Sequence, residues 1–79
     1  MKLKQLVEYV VEKLVDKPDQ VVVEAEEVSG ATMLRVRVAS EDLGKVIGKE
    51  GKVARTIRSM IHVAANQEGK RVTVEVERD

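Results

Sequence analysis

Residues 46–57 read Val46-Ile47-Gly48-Lys49-Glu50-Gly51-Lys52-Val53-Ala54-Arg55-Thr56-Ile57, and this stretch decides the fold. Two glycines stand three apart between segments with helical apolar spacing. Without a Cβ, Gly48 and Gly51 permit a tight turn in which a sugar-phosphate backbone can lie against main-chain amides. Those amides open the following helix, where the dipole favours an anion. The local charge points the same way: residues 45–58 hold Lys45, Lys49, Lys52, Arg55 and Arg58 against the single acid Glu50, a local excess of +4. From Lys52 onward, Val53, Ala54, Ile57, Met60, Ile61, Ala64 and Ala65 fall on one helical face, and Lys52, Arg55, Ser59 and His62 form a polar stripe on another.

Working outward, Ser40-Glu41-Asp42 has the form of a helix start, with a hydroxyl to cap exposed amides and acids that suit the positive end of the dipole. A short helix is expected from there to about Ile47. Upstream, Leu34, Val36 and Val38 alternate with Met33, Arg35 and Arg37, and Val21, Val23 and Ala25 alternate with Glu24 and Glu26. Both patterns are those of half-buried strands, joined at Ser29-Gly30-Ala31 into a hairpin. Leu3, Leu6, Val7, Val10, Val11, Leu14 and Val15 repeat the spacing of a first helix, which Asp16-Lys17-Pro18-Asp19 stops. Downstream, Gly69 is placed to supply a left-handed cap, and Val72, Val74 and Val76 alternate with Thr73, Glu75 and Glu77 in a third strand. The predicted order is helix-strand-strand-helix-helix-strand, an α+β fold. One three-stranded sheet with three helices packed on one face satisfies every apolar stripe, leaving Glu24, Glu26, Arg35, Arg37, Glu75 and Glu77 on the open face, where the arginines pair with acids across strands.

The whole chain, 1–79, is expected to form a single domain, since 79 residues build one core and not two. Hydrophobic residues make up 43% and charged residues 35%, a balance that suits a compact fold rather than disorder. Tyr9 is the only aromatic, so bases cannot stack on a row of rings. The absence of cysteine removes disulfides, thiolate metal sites and cysteine nucleophiles. The N-terminal Met-Lys-Leu-Lys-Gln leads into an amphipathic pattern that resembles neither a secretory signal nor a membrane span, and a cytoplasmic location with no membrane partner is expected. With 14 basic and 14 acidic residues the net charge is zero, which argues against indiscriminate electrostatic binding. Residues 19–27 carry Asp19, Glu24, Glu26 and Glu27 and no base, so the molecule is electrically lopsided.

The run Val-Ile-Gly-Lys-Glu-Gly, followed by Ala54 and Ile57 at three and six residues after the second glycine, resembles the KH motif: a hydrophobic pair, GxxG, then spaced apolar positions. The element order resembles the type II, bacterial arrangement. Length and layout are similar to the free-standing single-KH proteins of the KhpA family over nearly all of the chain. This resemblance implies a narrow groove for about four unpaired nucleotides of single-stranded RNA, with the GxxG loop clamping their backbone. Carried over by position, Gly48, Lys49, Glu50 and Gly51 form the clamp. Ile47, Ala54 and Ile57 supply an apolar floor, and Lys45, Lys52 and Arg55 contact phosphate. The opposite wall is expected from residues 67–76. Such proteins pair with themselves or with a second KH-containing protein, and the resemblance implies a post-transcriptional regulator or RNA chaperone linked to cell elongation and division. Two departures weaken the expected grip: Glu50 places a negative charge in the clamp, and Ala54 is smaller than the branched residue common there.

Other functional classes fit less well. A KH fold serving mainly as a protein dimerisation module is the principal alternative, favoured by Glu50 and the zero net charge. Catalysis is not expected, because GxxG lacks the Lys-Ser/Thr ending of nucleotide-binding phosphate loops. No triad partners accompany His62, and no second His or Cys accompanies it in a metal site, so no cofactor, metal or small-molecule substrate is expected.

Overall fold

The computed structural model describes residues 2–78. Its elements run α1 (Lys2–Leu14), β1 (Val22–Val28), β2 (Ala31–Arg37), α2 (Leu43–Ile47), α3 (Lys52–Gln67) and β3 (Val72–Val76), with single 3-10 turns at Pro18–Gln20, Ser40–Asp42 and Lys49–Gly51. The order is the expected one. The sheet order is β1-β2-β3, with β1 and β2 antiparallel and β2 and β3 parallel. Two parallel strands need a long crossover, and α2 and α3 form it, completing the type II KH fold.

Local chemistry explains the joints. Ser29 and Gly30 both take positive φ, 52° and 82°, and Val28 pairs directly with Ala31, so the hairpin closes in two residues. At the end of α3, Gly69 has φ 68°; its amide donates to Asn66 and that of Lys70 to Ala65, which satisfies the last carbonyls of the helix. The parallel ladder continues past both ends of β3, through Thr32 N–H to Arg71 O (2.8 Å) and Glu77 N–H to Val36 O (2.9 Å).

The core lies between the helices and one sheet face. It is built from Leu3, Val7, Val11 and Val15, from Val23, Leu34, Val36, Val72 and Val74, and from Val46, Ile57, Ile61 and Ala65. The expected apolar stripes are wider than this core. Leu6, Leu14 and Met60 remain exposed, because a three-stranded sheet covers only about one residue per helical turn. β1 is an edge strand, so Ala25 is exposed although it lies on the core-facing side, whereas its partner Leu34 on the central strand is fully buried. On the open face, Arg35 pairs with Glu26 at 3.5 Å, and Arg37 pairs with Glu24 at 3.7 Å and Glu77 at 2.9 Å.

Ser40-Glu41-Asp42 departs from expectation. The Ser40 hydroxyl caps no amide and donates instead to Glu41 at 3.0 Å. Asp42 is 1% exposed, and its two carboxylate oxygens accept the backbone N–H groups of Asp16 (3.2 Å) and Lys17 (3.0 Å). It therefore clasps the segment after α1 to the start of α2 rather than serving its own helix. Two exposed ion pairs, Lys17–Glu41 and Lys45–Asp16, span the same junction, with Lys45 Nζ also 3.8 Å from Asp42. The hydrogen bond from Lys17 holds the Glu41 carboxyl down at about 2, and the hydrogen bonds from Glu41 and Asp16 raise the lysine pKa values of Lys17 and Lys45.

Three outcomes follow from this packing. Leu34→Ala, at a fully buried site on the central strand, should cost about 2–5 kcal/mol, read as a lower urea midpoint. Asp42→Ala should cost about 1–3 kcal/mol by leaving the two amides without their acceptor; an unchanged midpoint would contradict the clasp. Because its folded pKa is depressed, Glu41 contributes stability that is present above its ordinary value of 4.5 and lost as pH falls through about 2. Its pair is exposed, so the effect is small. The difference in thermal midpoint between wild type and Glu41→Gln should shrink across that window and vanish below it.

Candidate nucleic-acid interface

The connection between α2 and α3 is built on backbone conformations that few residues tolerate. Gly48 has φ 77° and ψ 175°, a region essentially restricted to glycine, and Gly51 has φ 76° and ψ 14°, left-handed helical. Glu50 between them is also left-handed, at φ 57° and ψ 25°, an unfavourable conformation for a residue with a Cβ. The two glycines are needed for different reasons. A Cβ on Gly48 would sit 2.8 Å from Val53 Cβ and 2.9 Å from the Val53 amide nitrogen, whereas a Cβ on Gly51 would meet nothing closer than Arg55 Nη1 at 4.0 Å. The Gly51 amide donates to Gly48 O at 3.1 Å and that of Lys52 to Lys49 O, so these two amides close the turn itself.

This turn brings Ile47, at the end of α2, beside Ala54 in the first turn of α3. An open cleft of about 500 Å³ lies over them, lined by Ile47, Gly48, Glu50, Gly51, Ala54, Arg55, Arg58 and Arg78. A second cleft of about 590 Å³ adjoins it, sharing Ile47, Ala54, Arg58 and Arg78 and continuing to Glu75, Val76 and Glu77. Together they make one groove from the glycine turn to the end of β3. Its volume and its mixture of apolar floor and convergent polar groups suit a small ligand segment.

Six of the nine expected site residues meet in this groove: Ile47, Gly48, Glu50, Gly51, Ala54 and Arg55. The three lysines do not line it. Lys45 is paired with Asp16, Lys49 is exposed at the turn, and Lys52 borders a separate apolar groove between α1 and α3 with Val10, Leu14, Val53, Thr56, Ile57 and Met60. Ile57, expected in the floor, is buried in the core instead, because it lies on the α3 face that packs toward α1 and the sheet. The far wall is residues 75–78 rather than 67–76. Gly69, Lys70 and Arg71 lie at the other end of the strand, beside Ala25, Glu27, Gly30 and Thr32.

Arg58, named only as part of the basic stretch, and Arg78 join the groove although neither is among the nine expected site residues. Arg58 is four residues beyond Ala54 and so shares its helical face, a signal present in the spacing. Arg78 follows the last strand and carries no local signal, since only the parallel pairing of β3 brings it there. The arginines replace the lysines as the positive charge in the groove. His62 is exposed, with Nε2 3.4 Å from Asn66 Nδ2, and among the described residues no three His, Cys, Asp or Glu side chains converge on a metal site.

The contrast between the glycines is testable by thermal denaturation. Gly48→Ala should destabilise by about 3 kcal/mol or more, since overpacking against Val53 adds to the backbone strain, whereas Gly51→Ala should cost only about 1–2 kcal/mol. Equal effects would contradict the close approach of Gly48 to Val53.

A family model described as "KhpA/KhpB, KH domain" matches residues 4–76. The RNA-binding protein KhpA of Clostridium acetobutylicum is 49% identical over 76 residues, covering 94% of this chain and 99% of that protein. Proteins of the same name from Clostridium perfringens and Treponema pallidum are 43% and 40% identical, covering 94% and 91% of this chain and 99% and 90% of theirs. No solved structure matches. A family match spanning almost every element of the fold, with full-length relatives at this identity, shows that the chain belongs to the KhpA/KhpB family of KH domains.

Proposed function

We propose that this chain is a non-catalytic, cytoplasmic single-KH protein that binds single-stranded RNA in the groove between the glycine turn and β3. The observation that carries the proposal is the coincidence of a glycine-only backbone at Gly48 with an apolar floor of Ile47 and Ala54 and with Arg55, Arg58 and Arg78 around it. The turn lets a phosphate backbone approach closely, the arginines supply charge, and the floor receives bases whose faces need no aromatic partner. The relatives' printed name, RNA-binding protein, supports the same reading. Lys49 and Lys52, exposed beside the groove, are assigned to phosphates flanking the bound segment, and Lys45 to a phosphate reached at the expense of its pair with Asp16. A role in post-transcriptional regulation or RNA chaperoning, connected with cell elongation and division, is the setting that membership in this family favours.

A second reading rests on a different surface. Val10, Leu14, Val53, Ile57 and Met60 line an apolar groove between α1 and α3, with Met60 44% exposed and Leu6 on the same side of α1. Such a face suits pairing with a second copy or with another KH-containing protein, and a dimer would multiply a modest single-site affinity. No helix among the described residues is long and apolar enough to cross a membrane.

Fluorescence anisotropy with a labelled single-stranded RNA tests the first reading. Replacing Lys49 and Glu50 together by aspartate should weaken binding about fivefold or more while leaving the circular dichroism spectrum unchanged; unchanged affinity would refute it. Glu50→Asn should act oppositely, tightening binding without loss of stability, because asparagine tolerates left-handed backbone and carries no charge against phosphate. Light scattering with and without RNA separates the readings, since a stable dimer indifferent to RNA favours the dimerisation module.

A further inference from the structure

We propose that Arg58 reads a base edge in the groove and selects a nucleotide presenting two adjacent hydrogen-bond acceptors, cytosine or guanine; the proposal rests on the RNA-binding reading above. Arg58 lines the cleft at the glycine turn, the cleft at the end of β3, and a third, which runs along α3 past Ser59 and His62 to Thr73, so its side chain stands where the three meet. Its Nε donates to the carbonyl of Val74 on the edge strand at 3.1 Å. That bond spans the groove from helix to strand and fixes the plane of the guanidinium, while the two terminal amino groups make no ion pair among the described residues. A planar donor fork held in one orientation is the arrangement that recognises a rigid pair of acceptors rather than a freely placed charge.

The charge distribution along the groove separates phosphate from base. Around the glycine turn the charged lining residues are Glu50, Arg55, Arg58 and Arg78, a positive excess suited to the sugar-phosphate chain. Toward β3 they are Arg58, Arg78, Glu75 and Glu77, electrically balanced and unattractive to phosphate but suited to neutral polar edges. Arg58 belongs to both sets and stands at the boundary. Stacking cannot supply selectivity here, since the one aromatic, Tyr9, lies on α1 and is not among the groove's lining residues. Arginine has only donors. Guanine offers N7 and O6 side by side, and cytosine offers N3 and O2, whereas every edge of adenine or uracil sets a donor beside the acceptor or offers one acceptor alone.

The test uses the full chain and short oligouridines carrying one cytidine, guanosine or adenosine, with affinities measured by anisotropy at fixed ionic strength. Wild type should bind the cytidine or the guanosine oligomer about fivefold or more tightly than the adenosine and all-uridine ones. The two arms identify which base is read. Arg58→Lys keeps the charge and loses the fork, so it should weaken the preferred oligomer most and bring all four affinities within about twofold of one another. A ligand-side variant leaves the protein untouched: 7-deazaguanosine, or 3-deazacytidine if cytidine is the preferred base, should erase the preference in wild type. The proposal is overturned if wild type binds all four equally, if the deaza bases bind as well as their parents, or if Arg58→Lys weakens every oligomer by the same factor, which would make Arg58 a phosphate contact. Binding to none of the four would instead refute the RNA-binding reading, and this proposal with it.

Discussion

The close approach of Gly48 to Val53 is the constraint on which the rest of the molecule depends. α2 must end and α3 must begin with only the four residues 48–51 between them, and the chain achieves this only by lying flat on the first turn of α3 with a backbone conformation that a Cβ forbids. This reversal sets Ile47 beside Ala54 and opens a groove above them instead of a packed helix-helix contact. It also directs the face of α3 that carries Ile57, Ile61 and Ala65 into the core, leaving the face that carries Arg55 and Arg58 outside. One glycine therefore sets both the packing of this region and the shape of the groove, which explains why Glu50 can remain in a strained left-handed conformation close to it: the turn around it is over-determined.

A second requirement is that α2, only five residues long, be held in place, since so short a helix has little stability of its own. The buried carboxylate of Asp42 meets this need by accepting two backbone amides from the segment after α1, which ties the end of the first helix to the start of α2. The surrounding ion pairs of Lys17 and Lys45 are exposed and add little energy, but they take Lys45 into the frame. Positive charge in the groove then falls to arginine, whose planar fork can be fixed by one hydrogen bond while still presenting donors, as Arg58 shows with Val74.

Much of this was legible in the amino-acid sequence because it depends on neighbours within a few residues. Alternation and three-four spacing located every helix and strand, Ser29-Gly30 marked the hairpin, Gly69 the end of α3, and the two glycines the turn that organises the site. Membership in the family rests on a match over residues 4–76, the turn and its flanks included. The misreadings share one cause: a residue's type was visible but its distant partner was not. Asp42 looked like part of a helix start because its true partners lie 26 and 25 residues away. Met60 looked like core because spacing defines a stripe and not how much of it the sheet covers.

What the sequence by itself determined is the set of elements, their order, and the place where the backbone must bend, because propensity, periodicity and glycine's freedom act locally. Only the tertiary structure decided that β3 pairs parallel with β2, and this pairing turns a list of basic residues into a groove. It brings Arg78 from the end of the chain to Arg58 and Gly48 and excludes residues 67–74 from the far wall, while the three lysines stay outside the lining. Strand register and helix crossing are set by how the whole core fills space, and no window of neighbouring residues contains that information.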